Sequence, residues 1–317
     1  MESKKTIRVG ISTCLLGENV RYDGGHKRDK YMTDVLSDYF AWEIICPELE
    51  VGMGVPREAV RLVDNVASPR MVGIQTQTDW TKRMNDFSEK KIEQLRKKNL
   101  CGYIFKSDSP SCGIERVKVY AGKESPNKNG RGLFADAFMK AFPSIPVEEE
   151  GRLNDAKLRE NFIVRVFAYS RLQELFSSFS RKALVQFHSE HKFLLLAHSP
   201  KHYSLPGRLV ANVNDYSTKR FEEEYGALFM EALKIKTTAK KNMNVLQHIF
   251  GYISDKLSSE EKNDILSTLN DYHRELIPLI VPITLLSHYA KKFNVKYICE
   301  QVYLSPHPKE LMLRNHV

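Results

Sequence analysis

Long hydrophobic runs are absent from this 317-residue chain. An apolar stretch such as 276–286, LIPLIVPITLL, is too short to span a bilayer and is broken by Pro278 and Pro282, so no membrane partner is expected. The opening MESKKTIRVG lacks the apolar core of a signal peptide, which makes the cytoplasm the expected compartment. Cysteine is scarce: five residues, an odd number at irregular spacing, do not make a secreted disulfide framework, and a reducing compartment would leave their thiolates free for metal. No internal repeat or low-complexity linker is evident. No Walker A or Rossmann fingerprint occurs, nor a nicotinamide or flavin signature.

What is there divides into two textures. The length and the 42% hydrophobic content suit two domains, read here as 1–150 and 151–317. Residues 1–150 hold 24 Lys and Arg against 22 Asp and Glu, while 151–317 hold 24 against 17 and nine of the ten histidines. The second half is therefore the basic half, the footprint of a protein that meets a polyanion such as RNA. A solubilising basic face is the plainer reading of the same charge.

In the first half, IRVGIST (7–13), EIIC (43–46), GYIFKS (102–107) and SIPVEEE (144–150) are short β-rich runs. Helical spacing falls between them at 28–40, 84–99 and 131–142. This alternation predicts an α/β fold, a mostly parallel Rossmann-like sheet with helices on both faces. From about residue 152 the pattern is helical throughout, at 153–175, 180–198, 217–234, 239–256, 259–272 and 280–293, so an all-α domain follows.

Three cysteines lie where the predicted strands end, the edge of a parallel sheet at which ligands bind. They are Cys14 in ISTCLLGENVRYDGG, Cys46 in IICPE and Cys112 in KSDSPSCGIE. Three thiolates suit a metal centre with one open coordination position. A redox or nucleophilic cysteine, with the other two incidental, is the alternative the residues leave standing. Glu48, two residues from Cys46, suits acid/base work, and Ser109 and Ser111 bring hydroxyls beside Cys112. Arg21 offers a bidentate contact to an anion. Cys101, at the start of a strand, and Cys299, in an apolar run, fit packing roles.

The combination SxCLLG…RYDGG, CPE, GxGVPRE and KSxSPSCG resembles the TudS-like desulfidase family across roughly residues 6–150. The resemblance implies a 4Fe-4S cluster held by Cys14, Cys46 and Cys112 with its fourth iron open. It also implies catalytic roles for Glu48 and Ser109. Arg21, Tyr22, Asp23, Arg57 and Ser111 are then expected around the substrate. Residues 180–317 resemble the YbgA-like domain through FHSEHKFLLLAHSPKHYSLPGRLVAN, ELIPLIVPITLLSHYAKKF and YLSPHPKELMLRN. Together the two look like tRNA 4-thiouridine desulfidases, with tRNA as partner and water as co-substrate. The alternatives are a desulfidase of free thionucleotide or thiouracil, and a non-catalytic iron–sulfur RNA sensor. His188, Lys192, His198, Lys201, His202, Tyr203 and Arg208 form the basic and aromatic segment expected to meet RNA, although His191 and His198 taken singly also read as core or capping residues. The pairs His188/His191 and His198/His202 have metal-like spacings but no carboxylate or cysteine beside them, which argues against a second metal site.

Overall fold

The computed structural model describes residues 7–122 and 125–316, and the chain divides into two compact units, 1–155 and 156–317. The first unit runs β1 (Ile7–Ser12), β2 (Phe40–Ile45), α1 (Pro47–Glu50), β3 (Val60–Asn65), β4 (Ser68–Gly73), α2 (Thr81–Arg96), β5 (Gly102–Phe105), β6 (Val117–Tyr120), β7 (Asn127–Gly130), α3 (Leu133–Ala141) and β8 (Val147–Glu149). One sheet has the order β2-β1-β5-β8 and is parallel throughout. Its strands form where Val9, Ile11, Tyr103 and Phe105 can be buried, and Phe134 and Phe138 of α3 pack edge-on against those two aromatic rings. Gly10 is required in this core, since a Cβ there would lie 2.2 Å from the Tyr103 ring.

Because all four strands run the same way, their carboxyl ends share one edge. Ser12, Ile45, Phe105 and Glu149 end them there. The loops carrying Cys14, Cys46 and Cys112 follow three of those ends, so the topology itself gathers them.

Two features of the first unit depart from the sequence reading. Residues 28–40 do not make a regular helix. A single wide turn, Tyr31–Val35, and a 3-10 turn, Leu36–Asp38, bury Met32 and Leu36 before β2 begins at Phe40. A second sheet, β4-β3-β6-β7, is mixed parallel and antiparallel.

The second unit is all helical: α4 (Ala156–Ser177), α5 (Arg181–Glu190), α6 (Lys192–His198), α7 (Pro200–Ala211), α8 (Thr218–Lys234), α9 (Ala239–Ile253), α10 (Ser259–His273), α11 (Ile280–Lys292) and α12 (Lys296–Cys299). Hydroxyl caps set the starts. Ser180, Ser199, Ser217, Thr238 and Ser258 each accept an N–H from the following first turn, and Ser258 forms a reciprocal capping box with Glu261. Such caps contribute about 1 kcal/mol each. The segment expected as one helix over 180–198 breaks at His191, where ψ is 0°. Among the described residues, no helix is long and apolar enough to cross a membrane.

Candidate active site

Each cysteine is placed by the local chemistry of its loop. Cys14 sits in a 3-10 turn, Thr13–Leu16, which Gly17 closes at φ +97°. Its carbonyl accepts the Lys27 N–H at 2.9 Å, folding the glycine-rich loop back over the strand end. Cys46 is the residue immediately before α1, with Pro47 at the first helical position and Glu48 next. Cys112 lies in a tight turn in which Gly113 N donates to Ser109 O at 2.8 Å and Asp108 takes φ +56°. Gly132 at the start of α3 rests on this turn, and a Cβ there would lie 2.4 Å from the Ser111 carbonyl carbon.

The three cysteines line one cavity of about 480 Å³, together with Arg21, Tyr22, Glu48, Arg57, Lys106, Ser109 and Ser111. Desolvation by burial raises all three thiols: Cys14 to about 11, Cys112 to about 12, and Cys46 upward too. Lys106 and Arg21 pull Cys14 the other way, and Ser12 and Ser111 do so by hydrogen bonding to Cys112. Buried thiols held neutral by desolvation become thiolates when a metal coordinates them. A soft, sulfur-only donor set of this kind fits an iron–sulfur cluster. Among the described residues, no three His, Cys, Asp or Glu side chains close on a single point as one metal ion requires.

Beside the thiols stands a wired carboxylate. Arg57 donates from Nη2 to Glu48 Oε2 at 2.6 Å, with the Arg57 side chain only 6% exposed and that of Glu48 14%. Its Nη1 donates to Val20 O at 3.0 Å and Gly54 O at 2.8 Å. The other Glu48 oxygen, Oε1, accepts the Ser111 hydroxyl at 2.7 Å. Ser109 Oγ is 3.0 Å from Ser111 Oγ and 3.5 Å from Glu48 Oε1, and it accepts N–H bonds from Ser111 and Cys112. Arg57 was expected to meet substrate. It does line the cavity, and its guanidinium also makes the bonds to Glu48, Val20 and Gly54 given above. Arg21 and Tyr22 also line the cavity, whereas Asp23 does not, and its carboxylate is taken by Gly25 N and Arg21. One member of the site was given no role from sequence: Lys106, the first residue of the KSxSPSCG motif, which pairs with Glu150 at 2.5 Å at the ends of β5 and β8. Its place at the head of that motif was the available signal.

In the helical unit, Lys201 and Arg208 are exposed, and Lys192, His202 and Tyr203 partly so. His188 is half-buried, with Nδ1 at 3.1 Å from Tyr225 Oη. His198 leaves the expected RNA-contacting set. It is buried, its Nδ1 donates to Ile235 O at 2.7 Å, and burial lowers its pKa to about 4. His191 is likewise a core residue, stacked on Phe187.

A parallel sheet that gathers three cysteines, two of them buried, and a fixed carboxylate at its strand ends defines a candidate thiol-centred site. Residues 9–150 match the profile of the 2-thiouracil desulfurase family, and residues 192–308 match a family of unknown function, DUF1722. The chain is 26% identical over 165 residues to the uncharacterized protein YbgA of Escherichia coli (strain K12), an alignment covering 51% of this chain and 98% of that one. It is 29% identical over 151 residues to the uncharacterized protein YbbK of Bacillus subtilis (strain 168), covering 46% and 97%. A solved structure of a [4Fe-4S]-dependent thiouracil desulfidase, TudS, aligns at 23% identity with a TM-score of 0.41, over 50% of this chain and all of that one. The chain thus joins a region that matches the 2-thiouracil desulfurase family model to a YbgA-like region that matches DUF1722.

Proposed function

We propose that the first unit uses a 4Fe-4S cluster, held by Cys14, Cys46 and Cys112 with one iron open, to convert 4-thiouridine in tRNA to uridine. The observation that carries this reading is the single cavity in which three cysteines face the Glu48–Ser111 pair. The cluster would supply a soft Lewis acid for the thiocarbonyl sulfur, which selects a thio-base over an oxo-base. The rest falls to the chain's own groups. Glu48 Oε1 takes a proton from the attacking water, and Arg57 holds the carboxylate in place for it. The Ser109 and Ser111 hydroxyls hold that water or the ring edge. Water adds its oxygen to C4 and the sulfur departs as sulfide, so one water enters, one sulfide leaves and no electron is consumed.

The basic helical unit would bind the RNA through Lys192, Lys201, His202, Tyr203 and Arg208, offsetting the few kcal/mol needed to evert a stacked base. The cytoplasm, where thiols stay reduced, is the compartment this reading assigns. A cavity of about 480 Å³ also accommodates a free nucleotide, which is what favours free thionucleotide as a second substrate reading. Reconstituted protein should be given 4-thiouridine-containing tRNA and 4-thiouridine monophosphate in parallel, with uridine gain read by mass spectrometry. Faster conversion of tRNA, slowed by charge reversal at Lys201 and Arg208, supports the tRNA reading. Conversion of the nucleotide alone moves the function to free thionucleotides.

A further inference from the structure

The helical unit has a cavity of its own, of about 420 Å³, in which the cysteine chemistry has no part. That volume is within the range of small-ligand sites. Six polar side chains buried in a bundle core line it: Asn161, His198, Asn242, Tyr272, Tyr303 and Arg314. Buried polar groups are costly unless bonded, and most of these bonds are made. Asn242 Nδ2 donates to Tyr272 Oη and Tyr303 Oη donates to Asn242 Oδ1, both at 3.1 Å. Asn161 Nδ2 donates to Leu233 O at 3.1 Å. Arg314 donates from Nη1 to Tyr303 O at 2.6 Å and from Nε to Glu160 Oε1 at 3.1 Å.

This wiring fixes the side chains and leaves particular atoms over. Among the described residues, Asn161 Oδ1 and His198 Nε2 accept no hydrogen bond, and the Tyr272 hydroxyl proton and Arg314 Nη2 are given to none. His198 stays neutral at pH 7 with its proton on Nδ1, so Nε2 is an acceptor. Two acceptors and two donors thus line one cavity. Val164, Leu194, Ala197, Ile277 and Leu279 supply apolar walls, and among the lining residues Lys157, Lys236 and one acid, Glu275, are exposed.

We propose that this cavity binds a nucleoside monophosphate, its base edge meeting Asn161, His198, Tyr272 and Arg314 and its phosphate held by Lys157 and Lys236. A flat ring with an alternating donor and acceptor edge satisfies both the apolar walls and the leftover polar atoms. A fatty acid would leave those atoms unpaired, and inorganic phosphate would leave the walls empty. The proposal rests on the helical unit alone and does not depend on the desulfidase reading.

The test is calorimetric titration of the full chain with uridine and adenosine 5′-monophosphates, uridine and inorganic phosphate. One nucleotide should bind more tightly than uridine or phosphate. The double variant Lys157→Glu/Lys236→Glu, at exposed positions that leave the fold and its Tm unchanged, should weaken that binding about tenfold or more. Tyr272→Phe, which keeps the ring, should weaken it too, whereas Arg21→Glu in the cysteine cavity should not. A short uridine oligomer competes if the nucleotide comes from an RNA chain and fails if it is free. Nucleotide binding indifferent to the lysine and tyrosine variants, binding no tighter than that of phosphate, or no binding at all overturns the proposal.

Discussion

Arg57→Lys is the most discriminating substitution in the cysteine cavity, because it preserves charge and removes geometry. The guanidinium makes three bonds at once: to Glu48 Oε2 at 2.6 Å, Val20 O at 3.0 Å and Gly54 O at 2.8 Å. A lysine ammonium is a single point on a flexible stem and cannot span a carboxylate and two carbonyls in a fixed plane. The Glu48 carboxylate would keep a cation nearby but lose its fixed orientation. A hydrogen bond to a charged group contributes about 1.5–3 kcal/mol, so losing the ordered contact costs roughly 10- to 150-fold if turnover depends on where Oε1 points. Arg57 does not touch the thiols through any hydrogen bond above, so iron content and cluster absorbance should be unchanged. The assay is anaerobic single-turnover conversion of a 4-thiouridine substrate, with iron measured on the same samples. Turnover within about threefold of the parent, with iron retained, would refute the positioning role; a smaller loss than one charge-assisted bond cannot carry it.

Ser111→Ala should slow turnover about tenfold with the cluster retained, since it removes the 2.7 Å bond to Glu48, and iron analysis beside the rate checks this. Gly132→Ala should cost about 1–3 kcal/mol and lower iron loading, because its Cβ would meet the Ser111 backbone at 2.4 Å; denaturant unfolding and iron content read both effects. The helical unit should lose stability in acid. Burial depresses His198 and His307 to about 4 and His191 to about 3, from 6.5. Between pH 6.5 and about 4 the unfolded chain therefore takes up protons that the folded chain refuses. Stability is complete above pH 6.5 and falls as the pH drops, by about 2 kcal/mol per histidine at pH 5. Unfolding midpoints followed from pH 7.5 to 5 should decline, and a flat profile would contradict it.

The strand-end cysteines were legible because each follows a short β run and a parallel sheet brings such ends to one edge. The Glu48–Ser111 contact was not, since the two residues lie 63 positions apart and no local pattern encodes it. β3, VRLVDN, escaped because it is half-exposed and places Arg61 and Asp64 within the run; β4 carries a proline. α7 hid behind Pro206 and Gly207, which read as breakers, although Pro200 and the Ser199 cap start it cleanly. In the histidine-rich stretch, burial agrees with the core reading of His191 and His198 taken singly and takes His198 out of the expected RNA-contacting set. His191, at the break between α5 and α6, and His198, at the end of α6, are buried along with Leu194 and Leu195.

The central claim is that three cysteines and an ordered glutamate carry out a desulfidation that consumes no electrons. Its most direct test is to reconstitute the protein anaerobically, omit any reductant during turnover, and measure uridine formed and sulfide released from a 4-thiouridine substrate. The parent should give one sulfide per uridine, while Cys14→Ser, Cys46→Ser and Cys112→Ser should give neither. Uridine formation by any of the three variants, or a strict need for an external electron donor, would contradict the account.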